Sequence, residues 1–354
     1  MKLDNSLRLM EEKRIKVRLD EVTLMRCVLA LLIVFMHSFT CYNGGWPEPE
    51  GFVDVPVYKW MSRFSFAFTL QAFVFVSGYL FAFQRITLKR AESVIVLIIN
   101  KLKRLILPSV IFSVLYFVLF FEYKGLGNFV YSIISGCGHM WYLPMLFWCF
   151  IGGYVLDRIR IGDGWKLSFL ICLNVFFLWK LPLQLSRAAS YLFYFYFGFV
   201  VYKYSDSIKK HITPDLLVLS WAVFLIMFVL LRPLRDILVT NSGNPRLLNG
   251  FIMARNKLCL LLYAGSGLMA FFFTSIYYTQ RHQLKTFTLK LSSWCFGIYL
   301  FQQFVLQLLY YKTSFPIVVG PYLLPWCGFA IATVCSCILS ALLLKTKVGK
   351  FLIG

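Results

Sequence analysis

The chain has 354 residues, of which 60% are hydrophobic and 14% charged, with 36 Lys+Arg against 15 Asp+Glu for a formal charge of +21. A soluble globular domain carries about 25% charged residues, so a water-soluble globule is excluded. The basic excess would point to nucleic acid in a soluble protein, but here the cations sit in short segments between apolar runs, as in the Lys/Arg-rich cytoplasmic loops of membrane proteins.

A bilayer core takes about twenty mostly apolar residues per helix. Residues 1–21 are polar and read as a cytoplasmic tail. The apolar run after them is too long for a signal-peptide core and lacks a small-residue cleavage site, so no cleavable leader is read. Spans are predicted near 22–42, 64–83, 105–121, 139–156, 167–181, 190–203, 214–231, 258–278, 291–311 and 322–344. The fold class is therefore an all-α polytopic membrane protein of about ten transmembrane helices, with one membrane domain over 22–344 and a tail over 345–354. The fifth and sixth spans are short, and their split is the weakest boundary. Placing both termini in the cytoplasm puts 24 Lys and Arg on the inner side and 11 on the outer, in the sense of the positive-inside bias.

One predicted outer loop, 232–257, runs against that bias with Arg232, Arg235, Arg246, Arg255 and Lys257. Three readings stand: the loop is long enough to escape the rule, the local topology differs, or the loop holds an anionic acceptor. The ten cysteines form no CxxC pair and no zinc pattern, so no metal is expected. Cys41 and Cys137 fall near predicted outer ends, which leaves a disulfide between them open.

Charged and titratable groups inside a span are functional candidates by default. The first span has Arg26 and His37, eleven residues apart. At about 100° per residue that is three turns plus roughly 20°, so both lie on one helix face. They are separated by roughly 16 Å along the axis. A guanidinium near the cytosol can hold a phosphate-rich donor, and a neutral imidazole at depth can act as general base. The ordinary alternative is that Arg26 snorkels to the headgroups and His37 is a satisfied bundle residue. Lys101, Lys103 and Arg104 precede Pro108; Lys101 and Arg104 share a helix face and read either as a positive-inside anchor or as a donor-phosphate site. His139-Met140-Trp141-Tyr142-Leu143 opens the fourth span, where Trp141 and Tyr142 either anchor the interface or stack on a sugar. Gly78, within Ser77-Gly78-Tyr79, permits close helix approach.

Together these residues resemble the membrane acyltransferase-3 family of bacterial O-acyltransferases. Arg18-Leu19-Asp20 followed by Arg26 and His37 in an R-x10-H spacing resembles its first-helix signature. Phe73-Val74-Phe75-Val76-Ser77-Gly78-Tyr79 resembles its second-helix motif, and residues 101–104 are similar to its R-x-x-R loop with Lys in place of the first Arg. His139 to Leu143 resembles its H-x-W-F/Y-L motif, and Ser293-Trp294-Cys295-Phe296-Gly297-Ile298-Tyr299-Leu300 a late-helix motif. Many members place a His shortly after that Tyr-Leu pair, where this chain has Gln302-Gln303; glutamine can bind a hydroxyl but cannot exchange a proton near neutral pH.

The resemblance implies acyl transfer from a cytosolic acyl-CoA, most often acetyl-CoA, to a hydroxyl of a surface glycan or lipid-linked sugar at the outer face of the cell (inner) membrane. It implies His37 as general base and Arg26, Lys101 and Arg104 as donor-binding groups; Trp141 and Tyr142 are acceptor-pocket candidates from their chemistry. Asp20 matches the motif without an assigned role. The partners expected are acyl-CoA, a glycan and membrane lipid, with no nucleic acid. Some members carry an additional esterase-like domain; this chain's length leaves the transfer to the membrane domain. The rival readings are a transporter or flippase of lipid-linked glycans, and a membrane sensor or interaction protein.

Overall fold

A computed structural model describes the backbone of residues 18–90, 92–177, 179–236 and 245–354. Among the described residues the structure is helical, without strands. Helix α1 is Asp20–Ser38, α2 Pro56–Phe66, α3 Thr69–Ile86, α4 Val94–Lys101 and α5 Leu107–Phe120. Then follow α6 Leu126–Ser135, α7 Tyr142–Arg158, α8 Asp163–Phe176, α9 Leu185–Lys203, α10 Pro214–Asp236, α11 Pro245–Arg281, α12 Thr286–Tyr311, α13 Leu324–Leu343 and α14 Lys347–Ile353.

Seven helical stretches among the described residues are long and apolar enough to cross a membrane, which makes the chain a multi-pass membrane protein. Helix also occupies the other three predicted spans, but these are less suited to crossing. Helix α8 has 14 residues, α9 carries Arg187 and four tyrosines, and α12 carries Gln302, Gln303 and Gln307. Val118 on α5 and Val218 and Leu230 on α10 are 71%, 71% and 65% exposed. Apolar side chains turned outward in this way are sheltered by lipid and would be a liability in water.

Three boundaries differ from the sequence reading. The third stretch begins at Val94 and not near 105, because α4 continues into α5. The second stretch runs from Pro56 to Ile86, because α2 and α3 follow one another almost directly. The predicted loop 232–257 is largely helix: Arg232 lies within α10, while Arg255 and Lys257 lie within α11, which begins at Pro245. Pro is favoured in the first turn of a helix, where its missing N–H costs nothing. Residues 1–17 and the side chains of Arg235 and Arg246 lie outside the described residues.

Helix α1 is the hub, packed against α2, α3, α11, α12 and α13. Met25, Leu29, Ala30, Val34 and Met36 on it are fully buried. The tightest crossing joins α3 and α9. A Cβ on Gly78 would lie 1.8 Å from the Phe195 carbonyl oxygen, and one on Gly198 2.1 Å from that of Phe75. The backbones therefore touch, as small residues allow between membrane helices; the reading of Gly78 from sequence is the arrangement seen. Between α4 and α5 the helix widens into a π turn, Leu102–Ile106. Pro108 explains it: a proline ring collides with the carbonyl four residues back, and the extra residue in the turn moves that carbonyl away. Such turns are frequent at functional sites, and this one carries Lys103 and Arg104.

Candidate active site

His37 sits one residue before the end of α1 and is 8% exposed. It lines a cavity of about 490 Å³ together with Trp46, Tyr116, His139, Trp141 and Gln303, within the roughly 300–1,000 Å³ of small-molecule sites. Four elements hold the imidazole. Trp46, from the loop after α1, stacks on it with ring centroids 5.8 Å apart and planes within 3°. Phe66 of α2 meets it edge-on at 6.2 Å. His139 stands 6.5 Å away. Gln302 of α12 accepts a hydrogen bond from His37 Nδ1 through Oε1, at 3.1 Å. An amide oxygen there assigns the ring proton to Nδ1 and leaves the Nε2 lone pair for the cavity. That is the tautomer a general base requires.

The glutamine pair divides its work. Gln302 is fully buried and orients His37, while Gln303 lines the cavity with a buried Oε1 beside His139, an oxygen able to accept from a hydroxyl. His139 is fixed differently: its Nε2 donates to Leu300 O at 3.0 Å, and Tyr299 donates its hydroxyl to the His139 carbonyl at 2.5 Å. Its Nδ1 is buried without a partner. Gly138 makes this local turn feasible. Its φ is +57°, and a Cβ would come within 2.5 Å of the Tyr116 ring, a backbone region and a clearance that favour glycine.

Arg26 lines a second, narrower cavity of about 140 Å³ with Ile33, Ser77, Leu105, Tyr142 and Tyr299. Arg26, Ile33 and His37 follow one another at seven and four residues, so one face of α1 serves both cavities, as the spacing predicts. Tyr299 links them, lining the Arg26 cavity while its ring lies 5.3 Å from that of His139.

A third cavity, of about 320 Å³, holds Lys101 and Arg104 with Arg85, Arg90 and Glu92. The Lys101 ammonium lies 3.5 Å from the Phe150 ring centroid, a cation–π contact. Arg104 Nη1 reaches Gly354 O at 3.4 Å, and Arg85 pairs with Asp157 at 2.8 Å. Leu105, next to Arg104 in the π turn, lines the Arg26 cavity, so the π turn contributes to the walls of both cavities.

The predicted residues therefore separate into three places. Lys101 and Arg104 share a cavity; Arg26 stands in the neighbouring one. Trp141 borders the His37 cavity. Tyr142 does not: it lines the Arg26 cavity with a buried, unpartnered hydroxyl. Helical rotation is the reason, because successive residues point about 100° apart. Sequence reasoning gave no role to His139, Trp46, Arg85 or Arg90. His139 is signalled by its motif; Trp46 reads as loop punctuation. Asp20 pairs with Arg18 at the start of α1. Cys41 and Cys137 are both free, so no disulfide joins them.

Fold and site define a multi-pass helical membrane protein whose interior holds an oriented histidine in one cavity and an arginine of the same helix in a narrower, mostly apolar one. A comparison with protein families agrees with this picture: residues 19–345 match the family described as an acyltransferase domain, and the chain belongs to that acyltransferase-3 family. No curated protein sequence and no solved structure matches the chain.

Proposed function

We propose that this protein is an integral-membrane O-acyltransferase that moves an acyl group, most often acetyl, from acyl-CoA to a hydroxyl of a cell-surface or lipid-linked glycan. The observation that carries the reading is the His37–Gln302 pair, an imidazole held as a base at the wall of a cavity large enough for a sugar ring. In this reading the chain crosses the cell (inner) membrane about ten times, with both termini in the cytoplasm. The Lys101 and Arg104 cavity then faces the cytosol and the His37 cavity the outer side.

The donor phosphates bind among Lys101, Arg104 and Arg90, where cations outnumber the single carboxylate, Glu92. The pantetheine arm enters the narrow cavity past Arg26. There the unpartnered Tyr142 hydroxyl offers a hydrogen bond to an amide or thioester carbonyl; a buried donor left without one is costly. The acceptor sugar occupies the His37 cavity, between Trp46, Trp141 and Gln303. His37 Nε2 takes the proton of the sugar hydroxyl as its oxygen attacks the thioester carbonyl carbon. The tetrahedral intermediate collapses, the C–S bond breaks, and the leaving thiolate takes the proton back from His37. Products are the sugar ester and CoA. General-base help supplies typically 10²–10⁴-fold; positioning of the two substrates supplies much of the rest.

The test is reconstitution of the full chain in lipid nanodiscs with radiolabelled acetyl-CoA and a surface-glycan fraction. Alkali-labile label should enter the glycan with the native chain and not with His37→Ala. Label transfer by His37→Ala at the native rate would reject the assignment.

A further inference from the structure

The His37 cavity is not alone at its end of the bundle. A second cavity, of about 370 Å³, shares Gly45 and Phe66 with it and is lined by Arg63 and Arg232. A third, of about 560 Å³, shares Trp141 with the His37 cavity and is lined by Lys180, Arg187 and Lys257. The second and third share Gln71, Tyr191 and Leu260. Three cavities therefore ring the same helix ends, and the largest has three cations in its wall, Lys180, Arg187 and Lys257. Among the described residues no carboxylate lines any of them. Glu48, Glu50 and Asp54 belong to the loop beside Trp46 but do not line the cavities.

We infer that the largest of these cavities is a subsite for the negative charge of an acidic glycan, so that the acceptor carries a carboxylate or phosphate near the hydroxyl that is esterified. The word acceptor rests on the function proposed above; the charge preference does not. Three features support it. The Arg187 guanidinium lies 4.2 Å from the centroid of Trp141, and Trp141 is also a wall of the His37 cavity, so the charged subsite adjoins the reacting one. Lys257 is held in place by donating to Phe177 O at 2.6 Å, which leaves two of its three ammonium hydrogens. Gln71, 3% exposed, faces two of these cavities with an unpartnered Oε1, an acceptor suited to a sugar hydroxyl. Cations, indole rings and amide oxygens are the set that an acidic sugar requires: ion contact, a stacking face and hydroxyl partners. One basic residue of the predicted loop 232–257 thereby acquires a role, since Lys257 lines this cavity from α11.

The test uses the full chain in nanodiscs of a zwitterionic lipid, with quenching of intrinsic tryptophan fluorescence as the readout. Trigalacturonate is compared with its fully methyl-esterified form, and phosphorylated pentamannose with the dephosphorylated sugar; each pair differs only in charge. The acidic member of at least one pair should bind about tenfold more tightly or better, the factor that two or three partly exposed ion contacts together supply. Which pair responds identifies carboxylate or phosphate. Arg187→Gln and Lys257→Gln should each weaken the acidic member and spare the neutral one. Lys180→Gln, at an exposed position, gives the same reading where another variant fails to fold. Equal or absent binding of the charged and neutral members in both pairs overturns the inference. So does quenching by phosphatidylglycerol nanodiscs alone, which would mark a lipid-headgroup site. Because no acyl group is transferred, a charge preference without acetyl transfer would reject the function proposed above and leave this subsite standing.

Discussion

Replacing Gln302 by Leu separates orientation of the base from the base itself. In the native site Gln302 Oε1 is the partner that His37 Nδ1 has in the bundle interior, at 3.1 Å, and Gln302 itself is fully buried. With leucine the Nδ1 proton would be left without a side-chain acceptor, with only the Ile33 backbone carbonyl one turn back beside it. Leaving such a donor buried costs about 1–3 kcal/mol. The imidazole escapes that cost by moving its proton to Nε2, which faces the cavity, and in that tautomer it cannot accept from a sugar hydroxyl. At about 1.36 kcal/mol per decade of rate, the active tautomer is depleted by roughly 5- to 150-fold. The value of kcat for acetyl transfer in nanodiscs should fall by that factor, with the KM for acetyl-CoA unchanged. Gln302→Glu keeps an acceptor opposite Nδ1 and should recover part of the loss. Native kcat in Gln302→Leu, or a loss confined to the KM for acetyl-CoA, would refute the orienting role.

Other expected outcomes follow from the same geometry. His37→Ala should lose roughly 10²–10⁴-fold in transfer, the usual worth of a general base, while CoA binding measured by calorimetry is retained. Tyr142→Phe removes one donor from the narrow cavity and should weaken acetyl-CoA binding by roughly two- to tenfold, a neutral hydrogen bond being worth about 0.5–1.5 kcal/mol, with the acceptor KM unmoved; a change confined to the acceptor would return Tyr142 to that side. Gly78→Val should lower the thermal unfolding midpoint sharply, because the first carbon added lies 1.8 Å from the Phe195 carbonyl oxygen; an unshifted midpoint would show that α3 and α9 can separate freely. Arg104→Gln should raise the KM for acetyl-CoA more than that for dephospho-CoA thioesters, since charge-assisted contacts to phosphate are the stronger ones.

Much of this arrangement is legible in the sequence. The pairing of Arg26 with His37 follows from helical periodicity alone, and the structure puts both on the interior face of α1. Hydropathy locates the apolar segments because a bilayer core sets their length. The limits are equally physical. Periodicity within one helix says nothing about which other helix faces it, so Gln302, 265 residues away from His37, is recognisable as a departure from the family pattern but not as the partner of His37. Tyr142 and Trp141 are neighbours in sequence and open onto different cavities, a split that needs the rotation of α7 relative to α12. Trp46 reads as a turn beside Pro47, and its stacking on His37 depends on the path of the loop, pinned where Tyr311 donates its hydroxyl to Pro47 O at 2.7 Å. The predicted loop 232–257 fails because its cations mimic a loop, while Arg255 and Lys257 lie on helix α11, and Lys257 reaches the largest cavity from it.

The most direct measurement of the central claim is the mass of surface glycans from host cells bearing the intact gene, no gene, or the His37→Ala form. An ester-mass increment present only with the intact gene is the predicted result. Glycans of identical mass in all three, or an increment that survives in His37→Ala cells, would contradict it.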